Sequence, residues 1–164
     1  DMKATAESIQ VVLDYMDEKL APPVRLNRIL VPIDYSGNSE KAVRYACRFA
    51  EVFDATISVI HVVSYKPPLI AGGLVPVGTV SYRKEWKETL TRWGKQIIPE
   101  EYHGDFLIRE GNVCREICDT AEQVESDLVV ISTHGETGLQ HALLGSTAER
   151  VVQRASCPVL VVRD

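Results

Sequence analysis

Residues 28–62, RILVPIDYSGNSEKAVRYACRFAEVFDATISVIHV, contain a strand, a helix and a second strand in one run. RILVPI (28–33) and TISVIHV (56–62) are continuous, β-branched apolar runs, the pattern of strands buried on both faces. Between them Ala42, Val43, Ala46, Phe49, Ala50 and Phe53 recur at the helical period. A parallel strand pair needs a long return path, so this unit predicts a right-handed crossover. Three more apolar runs follow, GDFLIR (104–109), DLVVIST (127–133) and PVLVVR (158–163). Helical stripes separate them: Tyr82, Trp86, Leu90, Trp93 and Ile97; then residues 114–124; then Ala148, Val151, Val152 and Ala155. Strict alternation predicts an α/β fold with a parallel sheet and helices on both faces. Ligands of such sheets sit past the carboxyl ends of the strands, where the winding reverses, which directs attention to the loops after Ile33, Val62, Arg109 and Ser132.

With 164 residues, 45% hydrophobic and 25% charged, the chain is long enough for one domain with its own core. A net charge of −5 and the lack of a Lys/Arg cluster argue against a nucleic-acid partner. No run of 18 apolar residues and no leader-like start is present, so the expectation is a cytoplasmic protein with no membrane association. The four cysteines are expected to be reduced thiols. Cys114 and Cys118 are one helical turn apart, a spacing a metal can use. They also share an apolar stripe with Ile117, Ala121 and Val124, which favours packing.

Two segments fall outside the alternation. Residues 2–20 place Ile9, Val12, Leu13, Met16 and Leu20 at helical spacing before APP (21–23) breaks the pattern. Residues 1–23 are therefore read as an amphipathic helix and linker, and 24–164 as the domain. The helix packs on its own domain or on a partner subunit, and the pattern leaves both open. The segment SYKPPLIAGGLVPVGTV (64–80) is either a ligand lid or a loose connection.

STHGETGLQHALLGST (132–147) lies where a strand hands over to a helix. Its glycines allow close backbone approach, and the helix start offers free N–H groups and hydroxyls to an anion. By spacing alone, Ser146 or Thr147 at a helix start is most often just a plain helix cap. The segment matches neither GxxxxGK[ST] nor GxGxxG. Asp34, just past the first strand, suits a ribose, a metal on phosphates, or a local Asx-turn. Ser36 or Asn38 is expected to cap the next helix. His61 reads as a satisfied interior histidine, and His134, beside the glycines, as the better functional candidate.

The stretches RILVPIDYS (28–36), HVV (61–63), REGNVCREICDTAEQVESDLVVISTHGETGL (109–139) and LLGSTAERVVQRASCPVLVVR (143–163) resemble the universal stress protein family, over essentially all of residues 26–164. The resemblance implies a doubly wound (Rossmann-like) five-stranded sheet in order 3-2-1-4-5 and a homodimer. One subset of the family binds ATP or AMP, and is marked by Gly-x2-Gly-x9-Gly-Ser/Thr. Here the second glycine is Gly135, nine residues follow, and Gly145 and Ser146 complete the pattern, while Ser132 holds the first glycine position. The implied nucleotide-binding residues are Pro32, Asp34, Val62, Ile131, Ser132, Thr133, His134, Gly135, Gly145, Ser146 and Thr147. Among them, Asp34 would meet ribose, or Mg or Mn through the phosphates of ATP. Val62 would meet adenine through its backbone, residues 131–134 would line ribose and phosphates, and Gly145, Ser146 and Thr147 would hold phosphate.

Serine at 132 costs little if its backbone stays extended, and roughly 1 kcal/mol or more if a positive φ is required. Glu136 stands where relatives often carry Arg or Lys, so a triphosphate would lean on a divalent ion and backbone amides. The expected function is a nucleotide-binding regulatory stress-response homodimer, paired through the exposed apolar strand 158–163 and signalling to a protein partner. The alternative is a member of the same fold that acts by interaction with an empty site. A slow ATPase ranks third, since Asp34 and His134 come without an arranged nucleophile, base and arginine.

Overall fold

The computed structural model of the protein describes residues 25–64, 79–133 and 145–163. The expectations placed on residues 2–20, on 65–78 of the long loop, and on His134, Gly135 and Glu136 lie outside these residues. The described strands are β1 (Arg28–Ile33), β2 (Thr56–Val63), β3 (His103–Glu110), β4 (Leu128–Ser132) and β5 (Val159–Val162). The helices are α1 (Gly37–Phe53), α2 (Thr79–Ile97), α3 (Val113–Gln123) and α4 (Ser146–Arg154), with a 3-10 turn at Glu100–Tyr102. All strand pairs are parallel, in the order β3-β2-β1-β4-β5. The chain winds outward from β1 to β3, then crosses back to β4, so the winding reverses between β1 and β4.

Strand residues alternate between two cores. Ile29, Val31, Ile57, Val59 and Val130 pack on one face with Ala42, Val43, Ala46 and Ala50 of α1 and Leu90 of α2. Leu30, Ile60, Val129 and Ile131 pack on the other with Cys114, Ile117 and Ala121 of α3 and Ala148 and Val151 of α4. Burial of each large side chain contributes about 1.5–3 kcal/mol. The alanines of α1 let its axis lie close to the sheet. Gly94 does the same for α2, because a Cβ there would run into the Phe106 ring of β3.

Local chemistry sets the joints. The Ser36 hydroxyl accepts the Ser39 N–H at 3.2 Å and starts α1, and Asp54 ends it in the left-handed region at φ 55. The Asn112 side chain caps α3 by accepting the Arg115 N–H at 3.1 Å. Asp127 accepts the N–H groups of Asn27 at 2.7 Å and Arg28 at 2.9 Å, so one carboxylate ties the start of β4 to the start of β1. The four cysteines are free thiols; Cys114 and Cys118 pack in the α3/α4 core as the apolar stripe predicts, and Cys157 packs there too. Among the described residues no cluster of His, Cys, Asp or Glu could hold a metal, and no helix is long and apolar enough to cross a membrane.

Candidate functional site

The carboxyl ends of β1 and β4 flank the point where the winding reverses, and three sequence elements meet there. β4 ends at Ser132, which stands in register with Val162 of β5. Ser132 is not among the residues with positive φ, so its backbone is the extended one that any side chain tolerates. Thr133 is 3% exposed; its N–H donates to the Val162 carbonyl at 2.9 Å, and its own carbonyl accepts the Gly145 N–H at 2.7 Å. This last bond ties the start of α4 to the tip of β4.

Gly145, not Ser146 or Thr147, is the N-cap of α4, with φ −66 and ψ 146 and no side-chain capping bond. The first-turn N–H groups of a helix lack partners within the helix. A serine or threonine cap would occupy one of them; glycine at the cap has no side-chain acceptor to offer. Ser146 is exposed and Thr147 half-buried in that first turn, so hydroxyls and N–H groups share one end of the helix with its positive dipole. The plain-cap alternative for Ser146 and Thr147 is thereby replaced: both stand inside the helix.

At the end of β1, Pro32 is buried and Asp34 half-buried. Asp34 Oδ1 accepts the Ser36 N–H at 3.0 Å and the Ser36 hydroxyl at 2.6 Å. This is the Asx-turn geometry, and it fixes the carboxylate at the strand end while Ser36 caps α1. Ile131 is buried in the α3/α4 core, and Val62, near the end of β2, packs partly against the same core. Pro32, Asp34, Val62, Ile131, Ser132, Thr133, Gly145, Ser146 and Thr147 thus all lie at or near the carboxyl edge of β1, β2 and β4.

His61 is satisfied as expected: its Nδ1 is 2.9 Å from the Ile33 carbonyl oxygen, which can only accept, so this nitrogen carries the proton. Its ring lies 4.8 Å from Tyr35 and 5.3 Å from Trp86, and Tyr35 meets the edge of Trp93 at 5.8 Å. The helical spacing of Trp86 and Trp93 predicts core positions, and no pattern in the sequence joins Tyr35 to them in an aromatic group beside Asp34. Tyr35 has φ 65, an uncommon backbone for a bulky residue, held by that ring packing. Burial pushes the Tyr35 hydroxyl above its ordinary 10.0. The only sequence signal was its place directly after the strand-end Asp34.

Two cations near the same edge are engaged. Arg83 Nε donates to Glu110 at 2.6 Å, and Lys41 Nζ donates to the Arg163 carbonyl at 2.7 Å.

The universal stress protein family model matches residues 25–163. A universal stress protein of Methanocaldococcus jannaschii is 38% identical over 145 residues, covering 83% of this chain and 81% of the relative. Among solved structures, a universal stress protein in complex with cAMP superposes with TM-score 0.60 at 20% identity, covering 85% of this chain and 98% of the other. The universal stress protein from Archaeoglobus fulgidus in complex with dAMP gives 0.54 at 23% identity, covering 84% and 98%. With the 3-2-1-4-5 sheet in place and the family model spanning the whole described domain, the chain belongs to the universal stress protein family.

Proposed function

We propose that the protein is a regulatory module that binds an adenine nucleotide at the carboxyl edge of β1 and β4. The observation that carries this reading is the glycine-started α4, whose N-cap supplies no side-chain acceptor and which is held against the tip of β4 by the Thr133 to Gly145 bond. Such an end accepts a phosphate without a side-chain cation. Asp34, fixed by Ser36, suits a ribose hydroxyl. The fold neighbours that hold cAMP and dAMP point to an adenine nucleotide with one phosphate as the first ligand to try. ATP, with Mg or Mn bridging Asp34 and the phosphates, is the second.

The site holds a ligand rather than transforming it. Among the described residues Asp34 and His61 are held by local hydrogen bonds, and no nucleophile, base and orienting group are arranged together beside them. The protein works as a homodimer in the cytoplasm, pairing β5 with its copy, and passes occupancy to a protein partner.

Isothermal titration with AMP, and with ATP plus Mg or Mn, tests the reading. Binding that disappears in Gly145→Val is the expected result. No heat with either nucleotide under any of these conditions would sink it. The control is clean because Gly145 has an ordinary φ of −66, so valine blocks approach to the helix end without straining the backbone.

A further inference from the structure

Helix α1 carries an apolar strip that no described element covers. Val52 is 75% exposed, Tyr45 48% and Phe53 38%. Half-buried Phe49 stacks on Phe53, with ring centroids 6.4 Å apart and planes 9° from parallel. Positions 45, 49, 52 and 53 fall on one flank of a helix. The opposite flank presents Cys47, Glu51 and Asp54 to Tyr102 of the 3-10 turn, so the strip faces away from that packing. Exposed apolar side chains gathered on one helix flank mark a contact, whereas the exposed Tyr35, Trp86 and Val152 lie on other elements.

The chain enters the domain next to this strip. Leu26 is buried in the same core that α1 covers. The Asn27 carbonyl accepts the Thr56 N–H at 2.8 Å, and Thr56 follows two residues after Asp54, the cap that ends α1. Residue 24 therefore precedes a point beside the carboxyl end of α1, where Val52 and Phe53 are exposed. Residues 21–24 can span roughly 13 Å when extended, and Pro22 and Pro23 limit their freedom. That length allows a reversal onto α1. As a helix, residues 9–20 would run about 17 Å, against about 12 Å for the strip between Tyr45 and Phe53. Residues 1–20 hold Asp1, Glu7, Asp14, Asp17 and Glu18 against Lys3 and Lys19, while beside the strip Lys41 donates to the Arg163 carbonyl and Arg44 and Arg48 pair with Glu40 and Glu51, so the match rests on apolar surface and tether length.

We infer that residues 2–20 of the chain dock as an amphipathic helix on the α1 flank formed by Tyr45, Phe49, Val52 and Phe53, with Ile9, Val12, Leu13, Met16 and Leu20 against it. The short tether supplies a high effective concentration, which favours the chain's own segment over a separate partner. This docking is independent of what the nucleotide site holds.

Hydrogen exchange on the full chain, followed by mass spectrometry, tests it. Amides of residues 9–20 should exchange at least about tenfold more slowly than in an unstructured peptide. Val52→Glu and Leu13→Asp should each remove that protection, Val52→Leu should keep it, and β4 amides should stay unchanged in all three. Fast exchange at 9–20 in the unaltered chain overturns the proposal, as does protection indifferent to Val52→Glu. Protection that vanishes on about hundredfold dilution also overturns it, because the strip would then hold a second copy.

Discussion

At Ser132 the strand backbone decides what the departure from glycine means. Because the residue closes β4 without a positive φ, serine carries no conformational penalty, and only its hydroxymethyl group separates it from the family pattern. Ser132→Gly should therefore shift AMP affinity by less than about tenfold, or about 1.4 kcal/mol, in calorimetric titration. A much larger gain would mean that the side chain fills space the ligand needs. Cys118 offers a second residue-scale expectation. Burial, then the neighbouring Cys114, pushes its thiol from 9.0 up to about 11. The fold thus retains a proton that the unfolded chain releases near 9, so the stabilisation is complete below pH 9 and is lost as pH rises toward about 11. Denaturant midpoints measured across that window should fall with pH, and should fall less in Cys118→Ala.

Among elements, α4 shows a helix start without a side-chain cap, at some cost in stability. Glycine at the N-cap forgoes a side-chain acceptor for the first-turn N–H groups. Gly145→Ser should supply one, raising stability by about a few tenths of a kcal/mol in thermal or denaturant unfolding while weakening AMP binding. If the variant bound AMP more tightly, the open helix end would not be the phosphate site. The joint between β1 and β4 rests on Asp127, whose carboxylate holds the N–H groups of Asn27 and Arg28. Asp127→Ala should lower unfolding free energy by about 1–3 kcal/mol in urea denaturation, because two N–H groups at the strand start lose their acceptor.

For the molecule as a whole, β5 is the edge beyond β4, with Val159, Leu160 and Val161 half-buried in the single chain. An apolar parallel edge of this kind is a template for another strand. Light scattering should give twice the chain mass, and Val161→Pro should shift it toward the single-chain value by removing an N–H from the edge and constraining the strand. A single-chain mass for the unaltered protein would remove the homodimer from the proposed function.

The sequence by itself determined the order and type of the elements. Strands buried on both faces must be continuous apolar runs, and helices packed on one face must repeat at 3.6, so both patterns survive without coordinates. It also points to Asp34 and residues 132–147 as the site proposed above, since strand ends and glycine loops have a local grammar. Strand order came through family resemblance, because apolar runs of similar composition do not say which neighbour each will pair with. Three things were left to the tertiary structure. Gly145 rather than Ser146 caps α4 because its N–H is drawn to the Thr133 carbonyl, a contact between segments distant in the chain. Trp86, Trp93, His61 and Tyr35 gather beside Asp34 because β1, β2 and α2 converge there, whereas the tryptophans' spacing alone reads as core. Phe49 and Phe53 share the helical stripe of α1, yet Phe53 lies partly in the open, since the sheet accepts a narrower face of the helix than the pattern offers. Periodicity records which residues are apolar on one side of an element; only packing fixes how much of that side another surface covers.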